Sequence, residues 1–122
     1  MSKGTLPRMP LFGRAFLLVA CSLLIFGCQP KPEVTIPVVM KKWKIEPDVI
    51  RIKHGQVVAL VVSTPDVQHG FHVPTLGIKE PVQPRRPATI ILRVDEPGEH
   101  QVECDIICGP GHDDMIAKIV VE

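Results

Sequence analysis

The sequence has few aromatic residues, few cysteines and almost no net charge. Aromatics make up 4% of the 122 residues, without any tyrosine, and the formal net charge is +1. The chain therefore offers neither the stacking side chains nor the basic surface of a nucleic-acid-binding protein. Four cysteines are too few for a disulfide scaffold but enough for a metal site. The short length excludes solenoids and multidomain enzymes.

The first 28 residues have the composition of an export segment. Bases stand at positions 3, 8 and 14 without an acid, and an apolar run of 13 residues (15–27) follows. A bilayer-spanning helix needs about 20 apolar residues, so the run is typical of a signal peptide. It ends at Cys28 in a pattern that resembles the lipobox of bacterial lipoproteins, in which the cysteine becomes the lipidated N-terminus. Cys21 is a second match, and a short uncleaved anchor is the alternative.

Removal of residues 1–28 changes the charge and the cysteine count. All 13 acids but only 11 of the 14 bases lie after this segment, so the mature net charge is −2. Only Cys104 and Cys108 remain in the folded domain, which would face the oxidising periplasm or the cell exterior. Residues 29–39 are polar and rich in proline, which predicts a linker at the membrane, and residues 40–122 form the predicted domain.

The mature chain predicts an all-β sandwich or barrel. Short runs rich in β-branched residues alternate with turn signals, and no window shows a helical period over ten residues. Residues 65–87 contain five prolines and little periodicity, which predicts a long connection. The predicted strands cover residues 49–52, 57–62, 89–94, 100–103 and 116–121.

A cluster of soft metal ligands stands near the C-terminus. Cys104, Cys108, His112 and Met115 form the pattern C-x3-C-x3-H-x2-M. Thiolate and thioether ligands select copper over hard cations, and zinc gains little from methionine. The loop 109–111, Gly-Pro-Gly, would fold the second cysteine and the histidine around one point.

A second imidazole is needed from elsewhere in the chain. His69 is the best candidate because it follows the predicted strand 57–62, where a loop at the end of a sandwich would place it. His72 is its competitor. In an extended chain residues 69 and 72 point to opposite faces, so only one of them is expected to bind the metal.

Residues 66–74, followed by C-x3-C-G-x2-H-x2-M, strongly resemble the binuclear copper A (CuA) domain of cytochrome c oxidase subunit II. The same cupredoxin domain is found at the end of nitrous oxide reductase. The resemblance covers nearly all of residues 40–122 and looks closest to the short subunit II of the ba3-type oxidases. It implies a cupredoxin-like Greek-key β-sandwich or barrel.

The resemblance also implies a site and a function. It implies that the thiolates of Cys104 and Cys108 bridge two copper ions and that His69 and His112 each bind one of them. Met115 would be a weak thioether ligand, and the carbonyl of Ile106 a main-chain ligand. Such a domain takes electrons from a cytochrome c or another small redox donor. It passes them to the catalytic subunit of a haem-copper oxidase and performs no substrate chemistry itself.

Four features depart from the family's pattern, one of them Ala117 at a position that is often glycine. Many members have glutamate where Ile106 stands, and an aromatic residue commonly precedes the second cysteine, where this chain has Ile107. Residues 83–87, Gln-Pro-Arg-Arg-Pro, replace the usual Pro-Gly element. These departures bear on docking and electron entry more than on copper binding.

Several alternatives stay open on the sequence. Cys104 and Cys108 could form a disulfide. A mononuclear blue-copper site could use His69, Cys108, His112 and Met115, with Cys104 idle. The chain could also be a free-standing lipid-anchored electron carrier or a copper-delivery protein, since subunit II normally has a transmembrane helix where this chain has a lipobox-like end.

Overall fold

The computed structural model describes residue 4 and residues 27–122, so the predicted export segment 1–28 lies almost wholly outside the described residues. The described part is built of β-strands, with two single-turn 3-10 helices at Pro74–Leu76 and His112–Asp114. None of its helices has the length and apolar character needed to cross a membrane. The strands are β1 (Val34–Lys41), β2 (Lys44–Glu46), β3 (Val49–Ile52), β4 (Val57–Ser63), β5 (His69–Val73), β6 (Ile78–Val82), β7 (Ala88–Arg93), β8 (Gly98–Cys104) and β9 (Ile116–Val121).

The strands form two sheets, which confirms the predicted all-β sandwich. One sheet has the order β2-β1-β4-β7 and the other the order β3-β9-β8-β5-β6. β1 runs parallel to β4 and β3 parallel to β9, while the other neighbouring strands are antiparallel. Consecutive strands often lie in different sheets, as β2 and β3 do, so the chain crosses repeatedly between the two sheets.

The core follows from the alternation of side chains along each strand. In β9, Ala117, Ile119 and Val121 are buried, while Lys118 between them is partly exposed. Leu60 of β4 lies in the same cluster and is fully buried. Each such side chain contributes roughly 1.5–3 kcal/mol on leaving water, so the two inner faces hold the sandwich together.

One end of the sandwich gathers the residues singled out by the sequence. β1, β4, β6 and β8 end there, and β2, β5, β7 and β9 begin there. We call it the ligand end. The turn at 53–55 lies at the opposite end, where the His54 N–H donates to the carbonyl of Glu122 over 2.9 Å.

The prediction of a long connection over residues 65–87 is wrong. Two strands lie there, β5 and β6, joined by the turn that ends at Gly77. Gly, His and Pro weaken the strand signal in this stretch. Pro81 lies within β6, an edge strand, where a missing N–H can be tolerated because no further strand needs it.

The first strand begins inside the stretch predicted as a linker, 29–39. β1 starts at Val34, and its residues 34–38 pair with β4 alone, because β2 joins only at Val39. Pro37 therefore lies where β1 is itself an edge, which explains how a proline-containing segment enters the sheet.

The connection between β6 and β7 is a tight turn with an unusual residue. The Arg86 N–H donates to the carbonyl of Gln83 over 3.1 Å, and Arg85 has a positive φ of 63°. A left-handed conformation costs a residue with a Cβ roughly 1–2 kcal/mol. In a turn of this kind, with proline at the second position, the third position favours glycine.

Candidate metal centre

The ligand end brings all six predicted ligand residues together around two thiols. His69 is the first residue of β5 and Cys104 the last of β8, and these strands pair beside them, Phe71 with Cys104. The loop 105–115 then carries the remaining predicted ligands before β9 begins. The ligating atoms of His69, Cys104 and Cys108 all lie within 4.8 Å of one another.

The Cys104 thiol has two of the predicted ligand atoms beside it. His69 Nδ1 lies 3.9 Å from Cys104 Sγ, and the carbonyl oxygen of Ile106 lies 3.2 Å from the same sulfur. Cys104 is 5% exposed and His69 is completely buried. This half of the site is therefore held by the ends of two paired strands and is shielded from water.

The Cys108 thiol has the other two predicted ligand atoms. His112 Nδ1 lies 3.6 Å and Met115 Sδ 3.5 Å from Cys108 Sγ. The two thiol sulfurs are 3.8 Å apart. A disulfide requires about 2.05 Å, so the pair is a dithiol and the disulfide alternative is not the state of this structure.

Asp66 fixes the orientation of His69. Its Oδ1 lies 2.8 Å from His69 Nε2, and its other oxygen accepts the Lys42 N–H over 2.7 Å. A proton on Nε2 that is donated to this carboxylate leaves Nδ1 free to face the thiols. Burial alone would raise the pKa of Asp66, but the N–H groups of Lys42 and Val67, with His69 and Thr64, outweigh it and hold that pKa well below its usual range.

His72 points away from the thiols, as the extended-chain argument predicted for one of the two histidines. Its Nδ1 lies 3.0 Å from Glu103 Oε1, across the β5–β8 pair, and its side chain is 25% exposed. The structure therefore assigns the position beside the thiols to His69 and gives His72 a surface contact.

Three glycines let other residues approach the site closely. A Cβ on Gly70 would lie 1.9 Å from Asp105 Oδ1, and Cβ atoms on Gly109 and Gly111 would lie 2.2 and 2.3 Å from atoms of the Trp43 ring. Trp43 therefore packs directly on both glycines of the 109–111 loop. The sequence favoured a packing role for Trp43 in the core or near the site, but gave no role to Asp66 or Gly70. The carboxylate three residues before a histidine is the one local signal that could have indicated Asp66.

The Cys108 thiol is protonated in the metal-free protein at neutral pH. Burial, and then the neighbouring Cys104 thiol, raise the pKa of Cys108 to about 11. Metal binding requires thiolate, so loading must release protons. Two thiols, two imidazoles, a thioether and a carbonyl form a soft donor set that fits copper rather than a hard cation.

A β-sandwich with these donors at one end belongs to the class of cupredoxin-like copper domains. The crystal structure of the periplasmic domain of subunit II of cytochrome oxidase from Bradyrhizobium japonicum has the same fold. The two superpose with a TM-score of 0.70 at 21% identity, over 76% of this chain and 86% of that one. The predicted cupredoxin-like fold is thereby confirmed.

Sequence comparisons identify the family within this class. The family model for the periplasmic domain of cytochrome c oxidase subunit II matches residues 33–122. Subunit 2 of Thermus thermophilus is 32% identical over 90 residues, which cover 74% of this chain and 67% of that protein. A second subunit 2 from the same species is also 32% identical, over 54% of its length. The chain belongs to the family of cytochrome c oxidase subunit II periplasmic domains, as predicted, and spans between half and two thirds of these relatives.

Proposed function

We propose that this chain carries electrons through a binuclear copper centre at its ligand end. It accepts them from a cytochrome c or another small redox donor and passes them to the catalytic subunit of a haem-copper oxidase. Family membership supports a copper domain of this kind. The ligand assignment, the number of metal ions and the partners are our inference.

The observation that carries the proposal is the division of the donors into two equivalent halves. Each thiol has one imidazole nitrogen and one weak donor within 3.9 Å, and the two sulfurs face one another at 3.8 Å. A mononuclear site would leave one half unused. We therefore assign Cys104 and Cys108 as bridging ligands and His69 and His112 as terminal ligands. Met115 and the carbonyl of Ile106 are the weak ligands.

The protein contributes a prebuilt and largely dry cage. Met115 is 1% exposed, and His69 is buried and fixed by Asp66, so neither can reorient freely. Strand ends hold one half, and the packing of the loop on Trp43 holds the other. When bound, the copper pair supplies one-electron redox chemistry. A cage that does not move as its charge changes keeps the reorganisation cost of that chemistry low.

Copper loading of the full chain tests this assignment. We expect two copper ions per chain, a purple colour and an electron-spin signal split by two equivalent nuclei. One copper per chain with a single blue band would contradict the binuclear site.

The variant Cys104→Ser separates the binuclear site from the mononuclear alternative. If Cys104 bridges, the variant loses the second copper and the split signal. If Cys104 is idle, loading and spectrum stay as in the parent, and the blue-copper interpretation holds instead. His72→Ala is the matched control, since its ring lies against Glu103 rather than the thiols, and it should leave the spectrum unchanged.

We further propose that the chain is attached to the membrane through a lipid on Cys28, which is exposed and six residues before β1. Mass spectrometry of the protein extracted from membranes should find a diacylglyceryl group on this residue, and Cys28→Ala should release the protein from the membrane fraction. If Cys21→Ala releases the protein instead, the lipid is attached to Cys21.

Co-purification with a haem-containing subunit distinguishes an oxidase subunit from a free-standing carrier.

A further inference from the structure

The turn between β6 and β7 holds an arginine where the backbone favours glycine. Arg85 occupies its third position with a φ of 63°, after Pro84, and the turn is closed by the hydrogen bond from Arg86 to Gln83. Residues kept in such sparsely populated conformations concentrate at functional sites, so the outlier indicates a use for the side chain.

This turn lies at the ligand end, next to a proposed ligand. β6 ends at Val82, which pairs with His69 of β5. Arg85 comes three residues after Val82. Arg85 and Arg86 are both exposed. Neither forms an ion pair with any of the described residues. Two uncompensated positive charges therefore stand at the edge of the metal site.

Along the sheet β3-β9-β8-β5-β6, an acidic and a basic loop of the ligand end lie on opposite sides. The exposed carboxylates Asp113 and Asp114 precede β9, from which Met115 separates them, whereas the arginines follow β6. β8 and β5 lie between those two strands, which separates the acidic and basic sides by about 14 Å at the usual strand spacing. The turn after β6 therefore presents two positive charges, and Glu80 of β6 is the nearest exposed carboxylate in sequence.

An exposed apolar side chain lies in the loop that passes over β5 and β6. Ile107 is 86% exposed. The residues just before it lie over β5 and β6: Ile106 packs against Gly70, and the Asp105 carboxylate lies 3.1 Å from Lys79 Nζ. An apolar contact beside a rim of uncompensated charge is the usual composition of a transient protein interface.

We propose that Arg85, Arg86 and Ile107 form a docking surface for an acidic redox protein, one that carries carboxylates around its own redox centre. The proposal rests on the proposed function, because it concerns how a donor reaches the metal site. Anionic lipid is the less suitable occupant. β1 starts near Cys28 at the opposite end of the sandwich and runs towards the ligand end, so an anchor at Cys28 would hold this surface away from the bilayer.

Small redox complexes of opposite charge test the surface on the copper-loaded full chain. Hexacyanoferrate(II) and hexaammineruthenium(II) each give one electron to the oxidised protein and become Fe(III) and Ru(III). At low ionic strength Arg86→Glu should slow reduction by the anion about three- to tenfold and accelerate reduction by the cation. Both effects should vanish at high salt. Lys53→Glu, the same charge change at the opposite end, should alter both rates by less than about twofold.

The variant Arg85→Gly separates a role of Arg85 in docking from a role in the turn alone. It removes one charge and relieves the left-handed backbone, while glycine adds conformational entropy to the unfolded chain. The melting temperature should therefore rise by only roughly 2–5 °C while reduction by the anion slows. A rise in melting temperature with unchanged rates would overturn the proposal. So would equal effects of Arg86→Glu and Lys53→Glu.

Binding to the metal-free full chain separates this inference from the proposed function. A hexaglutamate peptide should shift the NMR amide signals of Gln83, Arg85, Arg86 and Ile107, and Arg86→Glu should abolish those shifts. If the loaded protein exchanges no electrons but the peptide binds there, the proposed function fails and the docking surface stands. If the peptide does not bind while vesicles of anionic lipid do, the surface is a lipid site and the proposal is wrong.

Discussion

The two halves of the metal site are built in different ways. Cys104 and His69 stand at the ends of paired strands and are almost completely buried, whereas Cys108 and His112 belong to the loop 105–115 and are partly exposed. Backbone pairing fixes the first half, and packing against Trp43 fixes the second. The strand half should therefore respond to substitutions more strongly than the loop half.

The largest effect is expected from Gly70→Ala, in the strand half. The added Cβ would lie 1.9 Å from Asp105 Oδ1 and 2.9 Å from Ile106 Cγ1, so the Asp105 carboxylate must rotate out of its mostly buried position and away from Lys79. We expect a loss of about 3 kcal/mol in the free energy of unfolding, measured by denaturant titration of the metal-free protein. A change of less than about 1 kcal/mol in Gly70→Ala would show that the strand half yields as easily as a loop.

The next effect concerns the carboxylate that orients His69. Because the folded pKa of Asp66 is depressed, the unfolded chain binds more protons below about pH 5, and this contribution to stability is lost as the pH falls. Asp66→Asn should cost about 2 kcal/mol at pH 7 and show a shallower loss between about pH 6 and pH 3. The free energy of unfolding is measured at each pH for both proteins. An equal dependence on pH would contradict a depressed pKa of Asp66 in the folded protein.

A smaller effect is expected from Gly111→Ala, in the loop half. The added Cβ would lie 2.3 Å from Trp43 Cγ, but the φ of Gly111 is −97°, so the clash is purely steric. We expect a loss of about 1.5 kcal/mol, because the loop can move outward. In the background Trp43→Leu the cost of Gly111→Ala should fall by at least half. Additive effects in this double-mutant cycle would mean that Trp43 does not fix the loop.

The smallest effect is the titration of the loop thiol. The raised pKa of Cys108 means that its contribution is present below the unfolded pKa, near 8.5–9, and is lost as the pH rises towards about 11. Between about pH 8.5 and 10.5 the metal-free protein should lose about 1 kcal/mol more than Cys108→Ser does. An identical pH dependence of the two unfolding free energies would contradict this.

Features with a local signal in the sequence could be predicted, and features that depend on distant contacts could not. Strands β3 and β9 were predicted with their observed bounds, because runs of β-branched residues signal a strand locally. Four of the proposed ligands, Cys104, Cys108, His112 and Met115, were predicted because these residue types at such spacing have a common chemistry, whereas Ile106 was implied by the family resemblance alone. β5 and β6 were missed because their Gly, His and Pro residues resemble a loop until pairing with β8 and an edge position stabilise them. The contacts of Trp43 with Gly109 and Gly111 join residues far apart in sequence, and no local pattern reports them.

The distance between the two thiols also bears on how the protein matures. At 3.8 Å the sulfurs need to approach by roughly 2 Å to form a covalent bond, and an exported chain meets oxidants as it folds. Metal capture and oxidation therefore compete for the same pair of atoms. The raised pKa of Cys108 slows both reactions at this sulfur, since each needs thiolate. The yield of copper-loaded protein would then depend on whether copper or an oxidant reaches the thiols first. A reductant that reaches Cys108, the more exposed of the pair, would restore the dithiol in oxidised molecules and let them bind copper.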